Sequence, residues 1–543
     1  MLSRYRGKTE CPDCKGTRLR KDANYVKVDG MDISTLVRMQ IGDCLGFFRN
    51  VKLSLQEQKV AGRILVEINS RLEFLCNVGL QYLTLNRLSS TLSGGESQRI
   101  QLATSLGSAL VGSTYILDEP SIGLHARDTK RLVEVLHDLK RQGNTVVVVE
   151  HDEKIMLSAD YIIDLGPEAG AMGGEVVYEG TPKGLAKSAT LTGQYLSGKL
   201  SISRKSRQLK AADCVEVLGA REHSLKNIHV KFPLHGLVVV CGVSGSGKST
   251  LVKNILYPAI QRELGAIPSQ RIGKFDALGG DVHALFSVEF IDQNPIGRST
   301  RSNPVTYLKA YDEIRQLFAS TPLAKQRGYT AGNFSFNLQG GRCETCEGEG
   351  HQTISMQFMA DIRLKCEDCN GKRFQSSILE ILYNDKSISD VLSLTVDEAI
   401  IFFRGEKAIH TSLVDKLLAL QQVGMGYVTL GQSSSTLSGG EAQRIKLASF
   451  LVKGSASRHT LFIFDEPTTG LHFHDISKLL IAFQALIDKG HSIIAVEHQQ
   501  DVIRAADWVI ELGPEGGQAG GYVVFEGKPE DMLNSTATGS CLR

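Results

Sequence analysis

The sequence lacks any long apolar run. No uninterrupted stretch approaches the roughly 18 residues that a helix needs to cross a bilayer. The N-terminus, MLSRYRGK, also lacks the apolar core of a secretory signal peptide. These two observations predict a cytoplasmic protein without a membrane partner.

A charge imbalance is missing as well. The chain has 61 Lys and Arg against 59 Asp and Glu, a formal net charge of +2. Bulk charge therefore argues neither for nor against nucleic acid, and any DNA-binding face would have to be local. An apolar content of 42% excludes a disordered chain. A length of 543 residues exceeds one ordinary hydrophobic core, which predicts two or more domains.

Cysteine is present but unevenly placed. Six of the 11 cysteines form three CxxC pairs, a usage that favours metal over disulfides in a reducing compartment. Two of these pairs are separated by 19 residues, which fits the C-x₂-C-x₁₅₋₂₀-C-x₂-C spacing of a four-thiolate structural site. The spacing favours Zn²⁺ over two redox motifs. The predicted ligands are Cys343, Cys346, Cys366 and Cys369.

The remaining pair, Cys11 and Cys14, has no upstream partner pair. Its surroundings resemble those of Cys366 and Cys369, yet two thiolates cannot fill a tetrahedral zinc site. Either the chain starts inside a domain or this pair is a relic without metal. We favour a truncated start and interpret residues 1–20 as the remnant of a first zinc module.

A P-loop pattern follows the apolar run Leu237–Val240 and precedes the helix-like segment Leu251–Leu256. In such a loop, glycines let backbone N–H groups turn towards phosphate oxygens, and the helix N-terminus favours the anion. The lysine reaches the β- and γ-phosphates, and the following hydroxyl binds Mg²⁺. A glycine-rich turn with an incidental lysine is the alternative. The predicted nucleotide-binding residues are Gly242, Ser244, Gly245, Ser246, Gly247, Lys248, Ser249 and Thr250.

Several other motifs occur twice in the same order. The offset between the two occurrences is 345 to 347 residues, so the chain contains a duplicated domain. The matched motifs are Ser93–Glu96 with Ser438–Glu441, Asp118–Pro120 with Asp465–Pro467, and His151 with His498. Only the second copy contains a P-loop.

The pattern around these motifs predicts helices and strands. Met31 to Leu88 is mostly helical, with apolar residues three and four apart over Ile64–Leu75. The run Ser113–Pro120 is predicted to be a buried strand that ends in two carboxylates, Asp118 and Glu119. A helix over Asp128–Arg141 then leads to a strand over Thr145–Val149.

The order of Leu-Ser-Gly-Gly-Glu, a strand ending in Asp-Glu-Pro and a strand ending in Glu-His resembles that of ATP-binding-cassette (ABC) ATPases. The resemblance implies two units that face each other head to tail, each nucleotide lying between one P-loop and the other unit's signature. In this chain the P-loop would pair with Ser93, Gly94, Gly95 and Glu96 of the first copy. The opposite site has no P-loop, so we expect no ATP there.

The same resemblance assigns roles in the second copy. Asp465 would hold Mg²⁺, and Glu466 would orient and polarise the attacking water. His498 would contact the γ-phosphate, and Gln293 matches the position that senses Mg²⁺ and water. Each histidine taken alone would more often be a polar residue at a strand end.

A cassette ATPase with a zinc module between P-loop and signature resembles the UvrA family of bacterial nucleotide excision repair. The segments Ile291–Arg298, Arg301–Tyr307, Phe334–Asn337 and Asp465–His472 carry the resemblance. It implies an α/β fold of tandem ABC-type P-loop ATPase units with helical signature subdomains and an inserted Cys₄ zinc module. It also implies a homodimer that binds double-stranded DNA, hydrolyses ATP with Mg²⁺ and loads UvrB.

The expected domains follow the repeat. Residues 21–200 form the C-terminal part of a first ABC unit, 201–212 a linker, and 213–543 a second unit. In the second unit the zinc module covers about 340–375, the signature 437–441 and the Walker B strand 461–466.

The first P-loop, the UvrB-binding region and half of the first zinc module are expected to be missing. The alternatives are a UvrA-like drug-resistance ATPase, a transporter subunit or a non-functional fragment. The zinc module disfavours a transporter.

Overall fold

The structure is a computed structural model. It describes residues 11–89, 92, 94–106, 111–202, 207–210, 212–268, 270–297, 302–354, 356, 362–405, 410–452, 458–534 and 541. Ser93, Arg298 and Arg301 therefore lie outside the described residues. No helix within these ranges combines the length and the apolar character needed to span a bilayer.

We call residues 21–200 the first copy. Its helices are short except for α3 and α5, which contain the two helical segments predicted above. The strands are β1 Lys27–Val28, β2 Met31–Asp32, β3 Thr114–Asp118, β4 Thr145–Val149, β5 Ile162–Gly166 and β6 Glu175–Gly180. The α-helices are α1 Ile33–Arg38, α2 Ile41–Asn50, α3 Leu55–Asn77, α4 Gly94–Leu106, α5 Ala126–Arg141, α6 Glu153–Ser158, α7 Pro182–Leu185 and α8 Leu191–Leu196.

We call residues 213–543 the second copy. Its strands are β7 Cys214–Ala220, β8 Ile228–Pro233, β9 Leu237–Gly242, β10 Ala277–Gly280, β11 Ser287–Ile291, β12 His351–Ile354, β13 Ile362–Lys365, β14 Leu382–Tyr383, β15 Lys386–Ser387, β16 Thr460–Asp465, β17 Ser492–Val496, β18 Trp508–Gly513 and β19 Tyr522–Gly527. A π-type helical turn, Thr250–Leu256, leads into the first α-helix. The α-helices are α9 Tyr257–Glu263, α10 Pro304–Tyr307, α11 Ala310–Ser320, α12 Pro322–Gln326, α13 Ser376–Leu379, α14 Ile388–Ser393, α15 Val396–Phe403, α16 Thr411–Gln422, α17 Gly439–Val452, α18 Phe473–Asp488, α19 Gln500–Arg504 and α20 Pro529–Asn534.

The second copy is built around a six-stranded sheet with the order β11-β16-β17-β9-β18-β19. All neighbouring pairs are parallel except β18 and β19. The P-loop strand β9 is buried at every residue, as the run Leu237–Val240 requires, because a central parallel strand is covered on both faces. Its alternate residues enter two different cores: Leu237 and Val239 face the helices, whereas Val238 and Val240 face β7, β8 and the turn after the P-loop.

The first copy contains counterparts of four strands of this sheet, but its described residues contain no counterpart of the central strand β9. Strands β3 and β4 form one parallel pair, and β5 and β6 form a separate antiparallel pair. They correspond to β16, β17, β18 and β19, which β9 joins into one sheet. Within the described residues, no strand lies between β4 and β5.

The missing centre changes the burial of the first copy. The side chain of Ile116 is 74% exposed, whereas the corresponding Ile463 is fully buried. Leu165 is 66% exposed, whereas Leu512 is fully buried. The sequence-based prediction that Ser113–Pro120 is a buried strand is therefore wrong about burial: the strand forms, but alternate residues are exposed. Burial of this face requires the elements that β7, β8 and β9 supply in the second copy.

These features confirm the α/β class and the ABC-type architecture. The two CxxC pairs predicted to bind zinc are joined by the hairpin of β12 and β13. The domain boundaries proposed above stay a prediction.

Candidate functional site

The P-loop closes tightly around its own lysine. Gly242 has φ +128°, and a Cβ built there would lie 1.9 Å from the Leu512 carbonyl oxygen, so only glycine fits. Lys248 is 7% exposed, and its Nζ donates to the carbonyl oxygens of Gly242 at 2.9 Å and Val243 at 3.0 Å. Burial lowers the pKa of Lys248, while nearby Glu466 acts in the opposite direction.

The loop offers polar groups that a phosphate could satisfy. Ser246 is fully buried, and its Oγ has no hydrogen-bond partner among the described residues. Ser249 is exposed at the start of the following helical turn. A buried hydroxyl without a partner is costly. The loop therefore fits a phosphate group, with Ser249 available to a cation.

The first copy contacts this loop directly. Ser244 Oγ donates to the Gly123 carbonyl oxygen at 3.0 Å. A Cβ built on Gly245 would lie 2.7 Å from the Tyr82 ring, so Tyr82 covers the loop at that point. The Tyr82 hydroxyl donates to Glu96 Oε1 at 2.7 Å, which ties the loop to the first signature.

The signature itself is described only in part. Gly94 and Gly95 begin helix α4, so the backbone N–H groups of a helix N-terminus are located there. Glu96 is buried and also accepts from Arg87 Nη2 at 3.4 Å. Ser93, predicted to contact the nucleotide, lies outside the described residues. The roles of all four residues stay predictions.

Two adjacent carboxylates end strand β16. Glu466 has φ +47°, and burial raises its pKa to about 7, with further contributions from Asp465 and Glu497. Burial also raises the pKa of Asp465. A carboxylate whose pKa lies near neutral pH is suited to general-base catalysis.

Gln293 and His498 lie beside these carboxylates. Gln293 Nε2 donates to the Glu466 carbonyl oxygen at 3.2 Å and to Thr469 Oγ1 at 3.1 Å. His498 Nε2 lies 3.8 Å from Glu466 Oε1. Burial lowers the pKa of His498 well below its usual value, and the positive charge of Lys248 lowers it further. The ring is therefore neutral. The structure thus brings Gln293, Glu466 and His498 together with the P-loop.

The first copy contains a related arrangement without a P-loop. His151 Nε2 lies 3.9 Å from Glu119 Oε1, and Glu119 has φ +45°. Each glutamate also approaches a glycine of the other copy: a Cβ on Gly123 would lie 3.3 Å from Glu466 Oε1, and one on Gly470 would lie 3.0 Å from Glu119 Oε1. The two copies therefore contact each other in a pseudo-symmetric, head-to-tail manner.

The pKa of Glu466 gives a testable pH dependence. A general base must be deprotonated, so kcat/KM for ATP hydrolysis should rise about tenfold from pH 6 to pH 8, following a pKa of about 7 in the free enzyme. Steady-state ATPase assays in buffers of constant ionic strength measure this. A flat profile over that range would contradict the assignment of Glu466 as the base.

The four cysteines predicted to bind zinc converge. All are buried, and their sulfur atoms lie within 4.8 Å of one another. Cys343 Sγ lies 3.9 Å from Cys366 Sγ, and Cys346 Sγ lies 3.6 Å from Cys369 Sγ. Zn–S bonds of about 2.3 Å in a tetrahedron place sulfurs about 3.8 Å apart. The residues therefore fit a zinc ion.

Two residues that contact the P-loop were not found from the sequence. Tyr82 and Gly123 belong to neither the signature nor the Walker B motif. The repeat could have identified Tyr82, because a tyrosine, Tyr427, occupies the corresponding place before the second signature. Its hydroxyl donates in the same way to Glu441 Oε1. Gly123 corresponds to Gly470, again with a positive φ.

Comparison with known proteins gives strong matches over the whole chain, although no family model matches. The chain is 51% identical over 544 residues to UvrABC system protein A of Streptomyces avermitilis, covering 99% of this chain and 53% of that protein. It is 49% identical over 546 residues to UvrABC system protein A of Bacillus subtilis, covering 100% of this chain and 56% of that protein.

A solved structure is also similar. The crystal structure of UvrA2 from Deinococcus radiodurans superposes with a TM-score of 0.89 at 42% identity, covering 98% of this chain and 66% of that one. The chain spans about half the length of the curated relatives that it matches.

Proposed function

We propose that this chain, a relative of UvrA over its whole length, is an ATP-hydrolysing subunit that recognises damaged DNA in nucleotide excision repair. It is not itself the nuclease of that system. The observation that carries the ATPase part is the contact of the single P-loop with Tyr82 and Gly123 of the first copy. The similarity to UvrABC system protein A supports the repair part.

In the proposed site, the P-loop and the first signature hold the nucleotide between them. The phosphates are bound from one side by the P-loop residues Gly242, Ser244, Gly245, Ser246, Gly247, Lys248, Ser249 and Thr250. From the opposite side the nucleotide is held by the signature residues Ser93, Gly94, Gly95 and Glu96, the last three at the N-terminus of α4. Mg²⁺, when bound near Ser249 and Asp465, would neutralise charge on the phosphates. The described side chains of the first copy reach the P-loop already, so the two halves of the site are close.

Glu466 is proposed to accept the proton of the attacking water. Its raised pKa keeps the carboxylate basic enough for this step. Neutral His498, 3.8 Å from Glu466, can donate from Nε2 towards a γ-phosphate oxygen. Gln293 positions the turn after Glu466 through its two hydrogen bonds.

The Cys₄ cluster is proposed to hold a structural zinc ion. A four-thiolate site leaves no open coordination position, so its contribution is to fix the knuckles at the base of the β12–β13 hairpin. The residues of this hairpin, which include Arg363 and Lys365, are exposed.

The proposed partners are double-stranded DNA and a second copy of the chain. UvrB is a further partner that the UvrA resemblance implies. Recognition of damage would depend on how easily the duplex deforms, because deformation energy varies between damaged and intact DNA.

A binding experiment tests the repair function. Two duplexes of the same sequence, one with a single bulky thymine adduct, are titrated with the full chain with and without ATP at a stated salt concentration. We expect several-fold tighter binding to the modified duplex in fluorescence anisotropy, and loss of the ATP dependence in Lys248→Ala. Equal affinity for both duplexes under all conditions would contradict damage recognition and leave the ATPase assignment intact.

A further inference from the structure

A second group of possible metal ligands lies away from the Cys₄ cluster. His125, Glu511 and Cys541 are each about 2% exposed. One ligand atom from each lies within 4.8 Å of the other two. An imidazole nitrogen, a carboxylate oxygen and a thiolate sulfur are all ligands that zinc accepts.

The three residues come from distant parts of the chain. His125 lies in the first copy, where its carbonyl oxygen accepts from the backbone N–H groups of Asp128 at 2.8 Å and Thr129 at 3.0 Å at the start of α5. Glu511 lies within β18, where it pairs with Cys241 of the P-loop strand. One ligand thus lies in a strand and another directly precedes a helix, on opposite sides of the contact between the copies, an arrangement that favours a preorganised site.

The pseudo-equivalent position, related to this one by the duplication, contains different side chains around its histidine. His472 and Asp164 correspond to His125 and Glu511 at an offset of 347 residues, and Tyr195 corresponds to Cys541 when TGQYL (192–196) is matched with TGSCL (538–542). Thr192 Oγ1 donates to Asp164 Oδ1 at 3.0 Å and lies 3.1 Å from His472 Nε2. The Tyr195 ring contacts the His472 ring edge to face, with centroids 6.2 Å apart.

The two pseudo-equivalent positions therefore differ in the side chains that they place around the histidine. One position has a hydroxyl and an aromatic ring, and it forms hydrogen bonds and ring contacts. The other has a thiol and a longer carboxylate around the same histidine. Among the residues that the structure describes, only the second brings together three ligand atoms of the type that a thiophilic divalent cation prefers, whereas Mg²⁺ selects oxygen ligands.

We propose that His125, Glu511 and Cys541 bind a zinc-type divalent cation that joins the first copy to the second. Three protein ligands leave one coordination position open. The ion would link His125, which directly precedes α5, to strand β18 beside the P-loop strand. It would therefore favour the closed arrangement of the two copies.

Metal stoichiometry tests this site without any measurement of ATP turnover. The full chain is stripped with a chelator under reducing conditions, reloaded with Zn²⁺ or Co²⁺, dialysed and analysed for metal per chain. We expect two ions in the parent and one in Cys541→Ser, with loss of part of the Co²⁺–thiolate absorption. Glu511→Gln, which is nearly isosteric, should also bind one ion.

Matched controls decide where a second ion resides. Tyr195→Phe, at the position corresponding to Cys541, should keep two ions, and so should the double variant Cys11→Ser, Cys14→Ser. One ion in the parent would overturn the proposal. Two ions that fall to one only in the Cys11/Cys14 variant would overturn it as well.

Discussion

Lys248→Ala should abolish ATP binding and reduce ATP hydrolysis to background. The lysine is buried with its Nζ held by two carbonyl oxygens in the loop, so the substitution removes the P-loop cation that we propose contacts the β- and γ-phosphates. Loss of a single preorganised charge at such a site costs about 100-fold or more in rate. The sequence contains no second P-loop that could compensate.

Calorimetric titration with a non-hydrolysable ATP analogue measures the binding, and phosphate release measures the turnover. Lys226→Ala is a matched control, because Lys226 is an exposed lysine in the same copy. It should bind and hydrolyse ATP as the parent does. Stoichiometric nucleotide binding by Lys248→Ala would contradict the assignment of a single site.

Glu466→Gln should keep ATP binding and lose hydrolysis. A glutamine preserves the shape of the side chain but cannot accept a proton, and loss of a general base costs about 10² to 10⁴ in rate. The variant should therefore hold ATP in the closed arrangement of the two copies. Single-turnover assays with radiolabelled ATP separate the two effects.

The duplication supplies the control for this prediction. Glu119→Gln makes the same change at the corresponding carboxylate, which also has a positive φ and a nearby histidine. The chain carries no P-loop for that site, so turnover should stay near the parent value. Equal losses in the two variants would show that the glutamates act through the structure of the contact and not as a base at one site.

Part of this site could be predicted because its signals are local. The P-loop conformation depends on glycines at fixed spacing, and Gly242 leaves no space for a side chain. The four cysteines that converge lie in two short knuckles, and the spacing of the two CxxC pairs already predicts four ligands. The helix over Ile64–Leu75 followed from apolar periodicity. The fold class and the relation to UvrA proteins were confirmed by the comparisons.

Other features could not be predicted, because they depend on contacts between distant segments. The strand Thr114–Asp118 has the composition of a buried strand, yet Ile116 is exposed. The composition of a segment indicates whether it could be buried. Burial itself requires neighbouring elements on both faces of the strand. The contacts of Tyr82 and Gly123 with the P-loop likewise follow from the packing of one copy on the other.

The amino-acid sequence by itself determined the P-loop motif, the two CxxC pairs that converge and the duplication, since each is encoded by residues close together or by a repeated order. The tertiary structure alone decided which groups of the first copy reach the P-loop, how strongly burial raises the pKa of Glu466, and that His125, Glu511 and Cys541 meet. Those outcomes depend on distance in space and on exclusion of water, and neither is set until the two copies are packed together.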